Sequence, residues 1–397
     1  MWRYFLQIIF IIFKTYYFIS GGAGHEPAEA GFVGKGLLTG SISGKIFAAP
    51  PAGKILKLIK TIAKRDKSNQ VLLIVPNYTG DRLNFGLACE KAKLEGYKVE
   101  THVFGDDCTF YGEEKRVGRR GLVGIVLVHK IAGALTEEGK SLEQIKQVLL
   151  QVDKSIGTIS ISLSECNIPG LGSSFSLGQD EMELGLGLHG EAGFTRLKVP
   201  SAKKGVELML NQLLGKDSYL DRHFKDNDNR KIAVMVNNLG GLSQFELNIV
   251  SKEVILQVEQ LGFSIERYYC GTFKTSFDMS GVSITILGVD EKILKLLDAP
   301  CQSPGWTQQF TPTFKINHSE LLVRTTNSVK DSIDYSFDNL KFGRELFLNA
   351  VKLSCEKLII NESYLNELDR ETGDGDTGST LCTSARHILE LINGKND

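Results

Sequence analysis

No Cys-x-x-Cys pair occurs in this 397-residue sequence, and charge of neither sign is in excess. The seven cysteines (Cys89, Cys108, Cys166, Cys270, Cys301, Cys355, Cys382) are scattered and odd in number. That argues against a disulfide scaffold or a zinc site and predicts reduced thiols in a cytoplasmic protein. Forty-six basic against 47 acidic residues leave no electrostatic footprint for nucleic acid or an anionic membrane. No sustained patch interleaves aromatic with basic residues. An apolar run long enough to span a bilayer is also missing, because the N-terminal WRYFLQIIFIIFKTYYFI is interrupted by Gln7 and Lys14. A signal peptide would have to be cleaved among Ser20–Gly24, the nearest small residues, inside a loop read below as part of a site. The run is therefore expected to end in a strand that enters this loop. What is present is an ordinary globular composition, 42% hydrophobic and 23% charged, in a chain long enough for two or three domains.

Two glycine-rich stretches each deliver a histidine. DEMELGLGLHGEAG, Asp180–Gly193, opens with three carboxylates, alternates Gly with Leu and presents His189. It reads as a strand with glycine at alternate positions. Such a strand packs poorly and is costly unless backbone or ligand approaches closely. Ser20–Pro27, SGGAGHEP, is a second small-residue loop and presents His25. A single histidine of this kind is equally well read as a core residue bonded to a backbone carbonyl. Two of them in similar company point to one shared site.

Periodicity predicts a repeating strand–helix order. Val71–Val75 is a continuous apolar run of strand length that ends in the polar turn Pro76–Asp81. Phe85, Ala88, Cys89 and Ala92 recur at helical spacing up to a stop at Gly96, and Lys98–Phe104 is the next strand, ending at Gly105-Asp106-Asp107. Strand, helix and strand joined this way form a right-handed parallel unit, whose ligands bind beyond the carboxyl ends of the strands. Asp81, Asp106 and Asp107 fall there. Gly121–Leu135 reads as a buried helix, and Ser141–Gln144 as a capping box ahead of a stripe of Leu142, Ile145, Val148 and Leu149. A strand at Ile156–Leu163 follows, then an irregular Ser/Gly-rich loop. A second α/β half begins with a helix at Val206–Leu214 and a charged connector at Asp221–Arg230. It continues with strands at Lys231–Val236, Ser264–Cys270 and Val282–Val289 and a helix from Ser243 to about Leu261. Residues 301–335 read as a linker, and a helix is expected at about Leu340–Leu358. LDRETGDGDTGST, Leu368–Thr380, then places Asp369, Asp374 and Asp376 in a Gly-rich turn between helices. This hard-oxygen cluster suits Mg²⁺, and the backbone N–H groups of Thr377, Gly378, Ser379 and Thr380 at a helix start suit phosphate. The alternative is a solvated Asp/Gly turn.

Together GHEPAEAGFVGKG, NYTGDRLNFGLA, GRRGLVGIVLVHKIAGAL, DEMELGLGLHGE, VNNLGGLS and GTFKTS resemble the dihydroxyacetone kinase family, over about Ser20–Ala299. LNELDRETGDGDTGST resembles the opening of that family's helical nucleotide-binding domain. The resemblance implies an α/β fold. Residues 1–300 would be a substrate domain of two α/β halves (about 20–200 and 205–300) with largely parallel sheets. Residues 336–397 would be the truncated start of an all-α ATP-binding domain. It implies an ATP- and Mg²⁺-dependent kinase for dihydroxyacetone and glyceraldehyde, cytoplasmic and homodimeric, and admits cleavage of FAD to cyclic FMN. By motif, His189 matches the histidine that holds the substrate ketone as a hemiaminal. His25 with Gly22, Ala23 and Gly24 matches the substrate loop, and Asp81 matches the base. Asp369, Asp374 and Asp376 match the magnesium ligands, and Thr377–Thr380 match part of the ATP site. Pro76 stands where the family has a substrate-contacting lysine. The short helical segment keeps open an alternative, a non-catalytic carbonyl-binding or regulatory protein.

Overall fold

The computed structural model describes residues 15–63, 69–110, 118–170, 172–173, 175–226, 230–306, 343–370 and 375–394. Backbone packing divides the chain into two units, Met1–Lys315 and Ile316–Asp397.

The first unit is α/β and, among the described residues, holds two large sheets and one two-stranded hairpin. Strand β1 (Thr15–Ala23) leads to β2 (Gly40–Ile46), helix α1 (Ala52–Ile62), β3 (Gln70–Pro76), α2 (Thr79–Leu94) and β4 (Lys98–Phe104). These strands form an all-parallel sheet in the order β2-β1-β3-β4. Its centre shows why the apolar run at 71–75 is continuous. Leu72 and Ile74 enter one core, whereas Val71, Leu73 and Val75 enter another beneath α1 and α2. All five are at most 1% exposed, and at about 1.5–3 kcal/mol per side chain they make this strand a principal anchor of the sheet.

Next come α3 (Ile125–Glu137), α4 (Leu142–Ser155), β5 (Ile156–Ser162), the hairpin β6 (Asn167–Ile168) and β7 (Gly172–Ser173), β8 (Glu181–Leu184) and β9 (Thr195–Lys198). They are followed by α5 (Ala202–Leu214), α6 (Tyr219–Asp226), β10 (Lys231–Asn238), α7 (Gln244–Gln260), β11 (Ser264–Gly271), β12 (Gly281–Gly288) and α8 (Glu291–Asp298). The second sheet, β11-β10-β12-β5-β8-β9, is mixed: β10 and β11 are parallel and the other neighbours antiparallel. One large core joins α3, α4 and α8 to the faces of both sheets. A second core packs α5, α6 and α7 on the far face of the second sheet. Helix α3 is buried all round, from Ile125 to Leu135, as its small-residue sequence requires.

Several expectations are corrected. The halves drawn at 20–200 and 205–300 do not follow the sheets, since β5, β8 and β9 already belong to the second. The charged connector begins as α6, whose Leu220 and Phe224 are buried one turn apart while Asp221 and Lys225 pair on its outer side. Charge at the surface hid the apolar pair. Strand β2 was not foreseen because it lies at a sheet edge and buries only one residue, Gly40. Residues 301–306 are not linker. The N–H of Gln302 donates to the Lys35 carbonyl, that of Gly305 to Gly31, and Trp306 packs on Tyr269 and Phe273. The rest of the 301–335 span lies outside the described residues. The capping box at Ser141–Gln144 forms as expected.

The second unit contains α9 (Arg344–Ile360), α10 (Glu362–Arg370) and α11 (Thr377–Ile392). Among its described residues Cys355, Cys382 and Ala385 are the buried side chains, and Gly378 lets α11 approach α10: a Cβ there would lie 2.1 Å from the Glu362 carbonyl oxygen. Among the described residues no helix is long and apolar enough to cross a membrane.

Candidate active site

The two histidine loops meet. At the end of β1, Gly22 and Gly24 clear a path for the chain at Phe47: a Cβ on Gly22 would come within 2.7 Å of its backbone, and one on Gly24 within 2.8 Å of its ring. Gly24 also has φ +97°. The Phe47 ring stacks on His25 at 5.1 Å. His25 is buried, and its Nδ1–H donates to the Thr275 carbonyl at 2.7 Å, a partner that can only accept. Burial, then the positive charge of Lys274, then His189 hold the His25 pKa down to about 3, so the ring is neutral.

The expected Gly-rich strand is a turn instead. Strand β8 stops at Leu184, because Gly185 (φ +81°) and Gly190 (φ +82°) occupy the left-handed region. The Gly187 N–H donates to the Glu191 carbonyl, closing the loop over buried Leu186 and Leu188. His189 projects from it, and Nδ1 lies 2.7 Å from Glu191 Oε1. The His25 and His189 Nε2 atoms face one another at 3.2 Å. Phe47 and Tyr78 meet the His189 ring edge-on, at 5.2 and 4.8 Å.

Asp81 lies in the first turn of α2 and is buried. Its Oδ1 has no hydrogen-bond partner. Burial raises its pKa to about 6 against the opposing charges of Lys274 and His189, which leaves a carboxylate unusually willing to take a proton. Asp106 and Asp107, at the same end of the sheet, are structural. Asp106 accepts from the Leu122 and Gly124 N–H groups and from Thr158, and Asp107 binds Arg120 at 2.6 Å. Pro76 ends β3, buried against Gly121, and offers no side-chain donor.

Sequence reasoning missed the loop that registers the histidines. Beyond the His25 contact, the Thr275 N–H donates to the His25 carbonyl and the Phe277 N–H to Gly24, while Ser276 Oγ donates to the Leu188 carbonyl. Asn237 holds this loop from β10, accepting from the Phe273 and Lys274 N–H groups and donating to the Lys274 carbonyl. Also missed was a buried chain in which Lys274 pairs with Glu29, whose other oxygen lies 3.0 Å from His129 Nε2. Lys274 therefore supplies the cationic field felt by His25 and Asp81. The signal was present: Lys274, Thr275 and Ser276 lie in GTFKTS, a matched stretch with no role attached.

In the second unit, Asp369 Oδ2 accepts the N–H groups of Gly375, Asp376 and Thr377 at 2.9, 3.0 and 3.3 Å. Asn366 Oδ1 accepts the Ser379 N–H, and the Thr380 N–H donates to the Asp376 carbonyl. Gly378, between Thr377 and Ser379 in sequence, lies buried in the first turn of α11. Asp374 lies outside the described residues. Among those described, no three His, Cys, Asp or Glu side chains gather as a metal cluster. Asp369 and Asp376 nonetheless flank one glycine turn, and Asp369 Oδ1 carries none of these bonds, a donor set chemically suited to Mg²⁺.

The Dak1 domain family model matches residues 14–305. The chain belongs to this family. It is 44% identical to the human (Homo sapiens) triokinase/FMN cyclase over 373 residues, covering 94% of this chain and 64% of that protein. It is 37% identical to dihydroxyacetone kinase 1 of Saccharomyces cerevisiae, covering 94% and 66%. The chain thus spans less than two thirds of the human relative's length. Its structure is similar to the dihydroxyacetone kinase of C. freundii, with TM-score 0.70 and 33% identity over 96% of this chain and 66% of that one. It is similar also to the dihydroxyacetone kinase operon co-activator Dha-DhaQ, with TM-score 0.69 and 32% identity over 75% and 89%.

Proposed function

We propose that this Dak1-family protein phosphorylates dihydroxyacetone, and glyceraldehyde, with ATP and Mg²⁺, holding the triose as a hemiaminal on His189. The observation that carries this reading is the pair of imidazoles meeting Nε2 to Nε2 at 3.2 Å, each with Nδ1 committed to an oxygen acceptor. Nitrogen atoms so placed bond only through a shared proton. In the transient state in which the otherwise neutral His25 holds that proton, the His189 Nε2 lone pair is free to attack a carbonyl carbon. The carbonyl π electrons pass to oxygen, which receives the proton back from His25, a strong acid because its pKa is so low. Glycerol offers no carbonyl, so a bond rather than pocket shape excludes it. The unpartnered Asp81 oxygen then accepts the proton of the terminal hydroxyl as the hydroxyl oxygen attacks the γ-phosphoryl group and ADP leaves. Reversal of the addition releases the product.

Asp369, Asp374 and Asp376 would hold magnesium, with Thr377, Gly378, Ser379 and Thr380 beside the nucleotide phosphates. When bound, the metal neutralises charge on the transferred phosphoryl group. A C. freundii dihydroxyacetone kinase structure in complex with AMP-PNP and Mg²⁺, 33% identical to this chain, supports this assignment. On this reading residues 1–300 form the substrate domain, and 336–397 begin the nucleotide domain, which would also serve cyclic FMN formation. A cytoplasmic homodimer belongs to the same reading. The likeness to a co-activator favours one alternative, a carbonyl-binding regulator; turnover of dihydroxyacetone with ATP and Mg²⁺ separates the two.

Intact-mass measurement under gentle ionisation tests the hemiaminal. Dihydroxyacetone is expected to add the mass of one triose to the protein and none to His189→Ala. Equal addition to both would overturn the assignment.

A further inference from the structure

We infer that Glu191 is the positioning residue that turns His189 into a nucleophile and the counter-ion of the cationic adduct formed on it. This rests on the hemiaminal reading above. Both carboxylate oxygens serve His189: Oε1 receives the ring Nδ1–H at 2.7 Å, and Oε2 receives the backbone N–H of the same residue at 3.0 Å. Fixing the turn would need only the second bond. The first adds two things. It locks the ring in the tautomer whose lone pair is on Nε2, and it aims that atom at His25.

The charge of the neighbouring Arg120 is felt by Glu191, but its hydrogen bonds go elsewhere. Arg120 Nε binds Asp107 at 2.6 Å, its Nη2 donates to the Gly185 carbonyl at 2.6 Å, and its Nη1 reaches the Glu191 backbone oxygen rather than the carboxylate. The absence of a side chain at Gly187 makes the arrangement sterically feasible, because a Cβ there would lie 2.0 Å from Glu191 Oε2 and 2.6 Å from Arg120 Nη1. This accounts for one glycine of GLGLHGE. Burial alone would raise the Glu191 pKa, but the hydrogen bond to His189 and the charge on that ring outweigh it and bring it down to about 2. The group is an anion at neutral pH.

The charge balance of the addition requires such a partner. Carbon–nitrogen bond formation uses the Nε2 lone pair, and the bridging proton goes to the carbonyl oxygen. Nδ1 keeps its own proton. The product is therefore an N-alkyl imidazolium, positively charged in a half-buried site, and Glu191 faces the nitrogen that carries its remaining proton. Without the anion the adduct would lose that proton and become a neutral N-alkyl imidazole, no longer held by a charged acceptor and able to expel only an imidazolate.

Adduct occupancy against dihydroxyacetone concentration, read by intact mass, tests this alongside ¹⁵N NMR of histidine-labelled protein and thermal melting. In Glu191→Gln the concentration for half occupancy is expected to rise about 10- to 100-fold. Melting should change little, and the His189 ring nitrogens in the residual adduct should move from the imidazolium pattern of the wild type to that of a neutral ring. Glu191→Asp should keep the imidazolium pattern and recover part of the affinity. If the Gln variant does not fold, the Asp variant decides, with an expected loss of about three- to tenfold. Wild-type occupancy with an unchanged imidazolium pattern in Glu191→Gln, or wild-type occupancy in Glu191→Asp when that variant decides, overturns the inference. An absent adduct in the wild type instead overturns the hemiaminal reading beneath it.

Discussion

The candidate triose site and the aspartate turn of the helical unit hold their carboxylates in opposite ways. Asp81 is buried, has an unpartnered oxygen, and has its pKa raised to about 6 by desolvation. Asp369 is solvated, and its pKa is lowered, chiefly by the Thr377 N–H, then by the Thr377 side chain and the Asp376 and Gly375 N–H groups. The first arrangement raises proton affinity and suits acid–base work. The second strengthens a permanent anion and suits a cation. The difference also appears in what assembles each group. Asp81 and the two histidines come together through β1, α2, the loop after β8 and the loop after β11, whereas Asp369 is held by residues six to eight positions further along the chain. A base for proton transfer has to be taken out of water by a whole fold, but a metal carboxylate needs only a turn.

The largest expected break in that contrast is Asp81→Asn. Turnover of dihydroxyacetone with ATP and Mg²⁺ should fall about 10²-fold or more while the hemiaminal still forms. The wild-type rate should climb with pH through about 6 and level off, because the base must be ionised, and the variant should lose that limb. Unchanged turnover would remove Asp81 from the role. Asp106 and Asp107 would not inherit it readily, since their oxygens are already bound by backbone N–H groups, Thr158 and Arg120.

The same substitution sharpens the comparison through stability. Asp81 has a folded pKa of about 6, above the ordinary aspartate value of 3.8. The stabilising contribution of its proton is therefore complete below about pH 4 and lost as pH rises through 6. Ionised Asp81 then costs the fold about 3 kcal/mol. Asn carries no such charge but gives up the favourable position of an anion at the start of α2, about 0.5 kcal/mol. Asp81→Asn is expected to be more stable than wild type at pH 8, by about 2–3 kcal/mol, and to lose this advantage by pH 4. Denaturant unfolding at the two pH values measures it. A variant destabilised at pH 8 would show that Asp81 is held there by favourable contacts rather than against solvation.

How much of this was legible follows from distance along the chain. The 71–75 run announced a strand buried on both faces, and Ser141–Gln144 announced its helix, because both signals are local. His25 and His189 were picked out by their glycine neighbours, although those glycines make a turn rather than a strand: positive φ at 185 and 190 and the room needed at 187 cannot be told from sequence spacing. The Lys274–Glu29–His129 chain and the Thr275–Ser276 clamp join residues more than 80 positions apart. Their side chains acquire meaning only when two sheets meet. Strand β2 and helix α6 escaped because each buries too little apolar surface to show a period.

The smallest expected effect tests whether Asp369 is more than a structural cap. Its Oδ2 gathers three consecutive N–H groups just before and at the start of α11, much as an N-cap side chain does, so removing it must loosen that turn. In Asp369→Ala, amide exchange at Gly375, Asp376 and Thr377 should quicken by roughly five- to tenfold, with the rest of α11 little changed. Asp369→Asn separates this role from an ionic one. An amide oxygen still accepts the same N–H groups, so exchange should stay near wild type, but the charge that would attract a divalent cation is gone. Mn²⁺ used as a paramagnetic probe should broaden the Gly375–Ser379 amides in the wild type and spare them in Asp369→Asn. Equal broadening in both would leave Asp369 a cap alone. It would also reduce the contrast with Asp81 to one between a buried acid and a solvated hinge.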